Sequence, residues 1–160
     1  MKRRTLIPVL AIVLALGVAS LAVTAASAKL RKKGASAPTA AVGIMAADLK
    51  WEPMPGIEGV QVAKLWGDMS KGAYGAFVKL SANQNHPLHT HTSTVKLVIL
   101  SGEFTYTPEG GAEQRYGPGS YLMVPGGLKH SSGTGAEEVT MFQEQSGAWD
   151  MKPVGEGGAK

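Results

Sequence analysis

Four histidines supply every imidazole in this chain, and all four fall in two short segments, His86-Pro-Leu-His89-Thr-His91 and Pro125-Gly-Gly-Leu-Lys-His130. A neutral imidazole nitrogen is the commonest protein ligand for a transition metal. Side chains alternate across an extended strand, so His89 and His91 point to one face and form a plausible chelating pair. His130, brought in from a later strand, would complete a facial set of three nitrogens. His86 lies three residues before His89 and falls on the opposite face of a regular pleat. Pro87 can break that regularity, so three roles stay open for His86: a fourth ligand, an acid–base group at the rim, or a surface residue. The surface or rim position is the simpler reading.

Strands must position these rings. From Val60 onward the chain shows short β-prone runs at 60–66, 73–80, 89–91, 95–100, 103–107, 121–124, 129–131 and 139–145, separated by Gly, Pro, Asn and Ser. Many short strands at regular spacing predict an all-β sandwich or barrel, and no run past the linker has helical periodicity. Ser101-Gly102 and Glu109-Gly-Gly111 are expected as tight turns, and Gly117-Pro-Gly119 and Pro125-Gly-Gly127 as loop closures between strands. Trp51, Pro53 and Pro55 suggest an extended arm that lays an aromatic ring on the barrel. In the last run Gln143 shares a face with Val139, Met141 and Gln145. There it either holds a substrate oxygen or a metal-bound water, or is a polar residue at the barrel's end. Tyr106 either projects inward near the histidines or packs. Lys129 should face away from them.

The N-terminus reads as a targeting segment. Met1-Lys-Arg-Arg is basic, an apolar run follows from Leu6 to Val23, and Ala26-Ser-Ala28 has the small-x-small pattern of a cleavage site. The expected boundaries are a signal helix over 1–28 cut after Ala28, a flexible linker over 29–45, a folded domain over 46–153 and a disordered tail over 154–160. Export to the periplasm or beyond follows, with an uncleaved inner-membrane anchor as the alternative. The membrane is contacted only through this leader. There is no cysteine, so the domain depends on its core for stability. Of the sixteen Lys and Arg residues, seven lie at or before Lys33. The remaining nine face twelve acidic residues, all at or beyond Asp48, so the domain is mildly acidic. That excludes a nucleic-acid surface. No nucleophile elbow, P-loop or dinucleotide fingerprint is present.

The two histidine segments resemble the motifs of the cupin superfamily. The first motif reads G-x5-H-x-H-x(3,4)-E-x6-G; Asn83 stands at its first glycine, His89 and His91 at the histidines, Val95 at the glutamate and Gly102 at the last glycine. The second reads G-x5-P-x-G-x2-H-x3-N, matched by Gly119, Pro125, Gly127 and His130, with Thr134 in place of the asparagine. The resemblance covers residues 46–153 and is strongest to small, single-domain exported bacterial cupins. It implies a double-stranded β-helix, or jelly-roll barrel, with a metal site at His89, His91 and His130. The missing glutamate departs from the family's four-ligand set. It leaves either a three-histidine centre, as in thiol dioxygenases and the diketone-cleaving dioxygenase, or a barrel without metal.

For a three-histidine centre the resemblance implies a divalent transition metal. Iron(II) is the first expectation, and zinc, manganese, nickel and copper are compatible with imidazole ligands. The ligand would be a small, anionic organic molecule, and the chemistry dioxygenase-like or isomerase-like. The alternative is a binding or sensing module without catalysis. A homodimer is the expected assembly.

Overall fold

The computed structural model describes residues 40–155. The expected signal segment, most of the linker and most of the tail lie outside them. After a single 3-10 turn at Ala46–Asp48 the described chain is entirely β: β1 (Trp51–Pro53), β2 (Val60–Gly67), β3 (Tyr74–Leu80), β4 (Asn85–Thr90), β5 (Val95–Ser101), β6 (Phe104–Pro108), β7 (Gln114–Tyr116), β8 (Tyr121–Val124), β9 (His130–Thr134), β10 (Val139–Gln145) and β11 (Lys152–Pro153). All pairings are antiparallel. One sheet has the order β1-β2-β3-β10-β5-β8 and the other β11-β4-β9-β6-β7.

From β3 to β6, and again from β7 to β11, successive strands alternate between the two sheets. This winding makes β4 and β9, far apart in sequence, into hydrogen-bonded neighbours. The core lies between the sheets. β10 alternates buried and half-buried along its whole length, as period-two side-chain alternation requires. Its inner residues Val139 and Met141 join Val62, Val78, Leu80, Leu97 and Ile99. Apolar β-branched and aliphatic side chains on both inner faces hold the sheets together by burial.

The arm at Trp51 is a strand, paired with β2 through Trp51↔Ala63, and the Lys79 ammonium sits 4.5 Å from the Trp51 ring centre. The short strands β7 and β11 carry too few residues to show a period and were not expected.

Four motif positions share one backbone requirement. Gly102, Gly119 and Gly127 have φ of +73°, +82° and +81°, and Asn83, in the position of the first motif glycine, has φ +57°. Asn83 is the one non-glycine residue in this region of φ among those described. Asparagine tolerates that conformation better than other side chains, so the substitution keeps the turn. Thr134, in place of the motif asparagine, bridges two backbone groups. Its hydroxyl accepts from the Gln84 N–H at 2.9 Å and donates to the Ser81 carbonyl at 2.8 Å.

Candidate metal centre

The β4–β9 register sets His89 directly opposite His130, with ring centres 4.3 Å apart. His91 lies one residue beyond β4, and two segments fix it there. The Gly127 N–H donates to its carbonyl at 2.8 Å. Gly126 passes so close that a Cβ there would lie 2.4 Å from the Thr92 carbonyl oxygen. The Gly126-Gly127 pair therefore clamps the end of the first motif. His91 is 5.0 Å from His89 and 5.4 Å from His130, centre to centre. One ring nitrogen from each of the three lies within 4.8 Å of the other two.

Backbone carbonyls decide which nitrogens those are. Nδ1 of His89 meets the Pro87 carbonyl at 2.6 Å, Nδ1 of His91 the Asp150 carbonyl at 2.5 Å, and Nδ1 of His130 the Leu128 carbonyl at 3.0 Å. A carbonyl only accepts, so each Nδ1 carries the proton and donates it. Each Nε2 is left with a free lone pair, the state a metal ligand needs. Burial holds all three imidazoles below their ordinary pKa, His130 down to about 4. They are therefore neutral near pH 7. Orientation, tautomer and charge state all suit a divalent transition metal.

Among the described residues, no carboxylate joins this group. Val95 faces the same cavity and is 4% exposed. The cavity lies between the sheets, with room of about 60 Å³ for the centres of water-sized molecules, enough for roughly four to six waters. Its walls are largely aliphatic. The polar lining consists of the four histidines, Ser132, Gln143 and the edges of Tyr106 and Trp149, with no acidic side chain. Tyr106 stacks on His130 at 5.1 Å, and Trp149 packs at 5.3 Å from His91. Lys129 points away and pairs with Glu109 at 3.0 Å.

His86 departs from the regular pleat. A register shift between His86 and His89 in the β4–β9 ladder turns both side chains toward the cavity, so the surface position is not what the structure shows. The His86 ring centre is 6.5 Å from that of His89, and His86 is not in the three-nitrogen group. Its Nδ1 is 3.4 Å from the Ser132 hydroxyl, and its Nε2 is buried with no partner. Gln143 is 5% exposed and lines the cavity from β10, in the opposite sheet.

Sequence reasoning missed Asp150. Its backbone carbonyl orients His91, while its carboxylate accepts from the Thr92 N–H at 2.8 Å and from the Thr92 hydroxyl. Lys152 reinforces the join through Thr92 Oγ1 at 2.7 Å, and β11 pairs with β4 through Lys152↔Thr90. A main-chain acceptor leaves no residue-type signal, so nothing in the sequence pointed to it. The sequence likewise singled out neither Trp149 nor Tyr74.

A family model described as the ChrR cupin-like domain matches residues 39–148. Among curated proteins, no sequence matches. Solved structures share the fold. KdgF from Halomonas sp. is 16% identical, with a TM-score of 0.57 over 69% of this chain and 97% of that one. The polyketide cyclase RemF from Streptomyces resistomycificus is 21% identical, with a TM-score of 0.59 over 72% and 86%. The DMSP lyase DddQ from Ruegeria pomeroyi is 23% identical, with a TM-score of 0.54 over 68% and 61%. At such identities the likeness establishes the barrel and leaves the chemistry to the site.

Proposed function

Because this chain belongs to the ChrR cupin-like family, we propose that it is an exported cupin whose His89, His91 and His130 hold one divalent transition metal for a small, anionic organic ligand. One observation carries this reading: three separate backbone carbonyls accept from the three Nδ1–H groups and leave three converging Nε2 lone pairs. When bound, the metal supplies Lewis acidity and a template for a polarised oxygen. Iron(II) suits an oxygen-dependent cleavage; zinc, manganese, nickel or copper suit an isomerisation or simple binding.

The chain's own residues set the rest. With Val95 in place of a carboxylate, the three neutral imidazoles offset none of the ion's charge, so the remaining ligand is anionic: a carboxylate, enolate or thiolate. The aliphatic walls exclude water from the ligand's apolar part, and the cavity's size limits that part to a few heavy atoms. Tyr106, stacked on His130, and Trp149, tilted against His91, hold those rings in place by packing. The leader over 1–28 directs export and is cut after Ala28, which leaves the linker over 29–45 ahead of the domain of 46–153.

The test is elemental analysis of the untagged mature protein, as isolated and after reconstitution. About one equivalent of a transition metal is expected. Less than about a tenth of an equivalent in both samples overturns the reading, as a filled site is stoichiometric. Tight ligand binding without turnover across enolisable and phenolic acids would place the protein among binding modules instead of enzymes.

A further inference from the structure

We propose that Gln143 is the specificity-determining residue of the cavity, held with its carbonyl oxygen turned inward so that the site selects small acids bearing a hydroxyl over their deoxy counterparts. This rests on the metal-site reading above and names the ligand class within it.

The argument starts from one backbone carbonyl. Gln145 is fully buried, and its amide lies 3.4 Å from the Ala148 carbonyl oxygen. A carbonyl only accepts, so the Gln145 atom facing it is Nε2, and Gln145 Oε1 is turned to the Tyr74 hydroxyl, 3.0 Å away. Reversing the amide would set two oxygens against each other. Tyr74 therefore donates its single proton to Gln145. Burial pushes the Tyr74 phenol well up, so that proton is always present. The Tyr74 oxygen is then left as an acceptor, and Gln143 donates to it through Nε2 at 2.6 Å. Each step forces the next, and the last leaves Gln143 Oε1 as the group presented to the cavity.

Among the described residues, no side chain or backbone group donates to that oxygen, which opens onto the cavity. The strand neighbours of Gln143 in register are Ala76 and Leu97, neither of which has a side-chain donor. Gln143 is 5% exposed, so bulk water reaches it only through the cavity. Water in the cavity serves this acceptor, and a ligand that displaces the water and supplies a donor in its place is selected over one that does not. A bare carboxylate has no proton to give, whereas a hydroxyl does. The selected class is thus a short hydroxy acid or the enol form of a keto acid, with the anionic end on the metal and the hydroxyl toward β10.

Zinc-loaded protein titrated calorimetrically with two matched pairs, glycolate against acetate and 3-hydroxypropionate against propionate, tests this. A hydroxyl can also chelate zinc, so the deciding quantity is how the hydroxyl's advantage in Kd changes on substitution. In Gln143→Met the advantage in at least one pair should fall by about tenfold or more. Tyr74→Phe should lower it as well, although Gln143 is intact there, because the amide is free to turn; Gln145→Met cuts the same relay if Tyr74→Phe does not fold. An advantage unchanged in Gln143→Met, or zinc-loaded protein that binds none of the four acids, overturns the assignment while leaving the metal site standing. Failure of the wild-type protein to take up zinc removes the metal reading and this one with it.

Discussion

His86 should be a liability to the metal-free protein. Its Nε2 is buried without a partner, a state that costs about 1–3 kcal/mol relative to a satisfied or apolar group. Its other nitrogen meets Ser132 at 3.4 Å, beyond the usual range for a good hydrogen bond, so losing that contact costs about 0.5 kcal/mol at most. His86→Leu removes both at similar size, among the aliphatic side chains that already line the cavity. The difference favours the variant by about 1–2 kcal/mol. For a domain of this size that is a rise in Tm of roughly 3–6 °C. Calorimetry of chelator-treated protein at pH 8, where the imidazoles are neutral, reads it directly. Ser132→Ala is the control and should change little. A fall in Tm for His86→Leu would refute the reasoning, because it would show that Nε2 has a partner in solution. A rise would mean that this imidazole is kept at a cost to stability, which points to a role on the ligand.

Three further outcomes follow from the same geometry. Burial lowers the imidazole pKa values, so the unfolded chain takes up protons before the folded one does. Metal-free stability is therefore complete above about pH 6.5 and is lost as pH falls toward 4; His130, moved from 6.5 to about 4, accounts for roughly 3 kcal/mol of this, and a Tm–pH profile flat across that window would contradict it. Val95→Glu restores the family's motif carboxylate in a site only 4% exposed; it should cost the metal-free protein about 2–4 kcal/mol yet tighten zinc binding at least about tenfold, and an unchanged zinc Kd would show that position 95 does not reach the ion. Asn83, at φ +57°, should accept glycine within about 0.5 kcal/mol but lose about 2 kcal/mol as valine, measured by urea unfolding.

Much of the site was legible because its chemistry is concentrated in rare residues at fixed spacing. His89, His91 and His130 could be matched by type. Val95 could be placed on their face because parity holds from the start of β5. The edges of β8 and β10 were legible because turn-forming residues flank both, Gly119-Ser120 and Pro125-Gly126 around one, Gly135 and Ser146-Gly147 around the other. His86 was not, since its direction depends on a register shift that belongs to the β4–β9 pairing and not to either segment alone. The three carbonyls that orient the rings were invisible for a different reason: any residue can supply one. The Gln143–Tyr74–Gln145 relay needs β3 and β10 in register, Gln143↔Ala76 and Gln145↔Tyr74, and a strand's partner is a tertiary fact.

The join between Asp150 and His91 spans 59 residues, and translation delivers those residues in order. Until Asp150 has left the ribosome, nothing holds the proton on His91 Nδ1, and that ring is free to offer either nitrogen. A nascent chain thus has two oriented rings at most, and its choice of ion waits until synthesis has passed β11. Under the export proposed above, the chain folds and this join closes only after translocation, and the ion taken is the one that the receiving compartment provides.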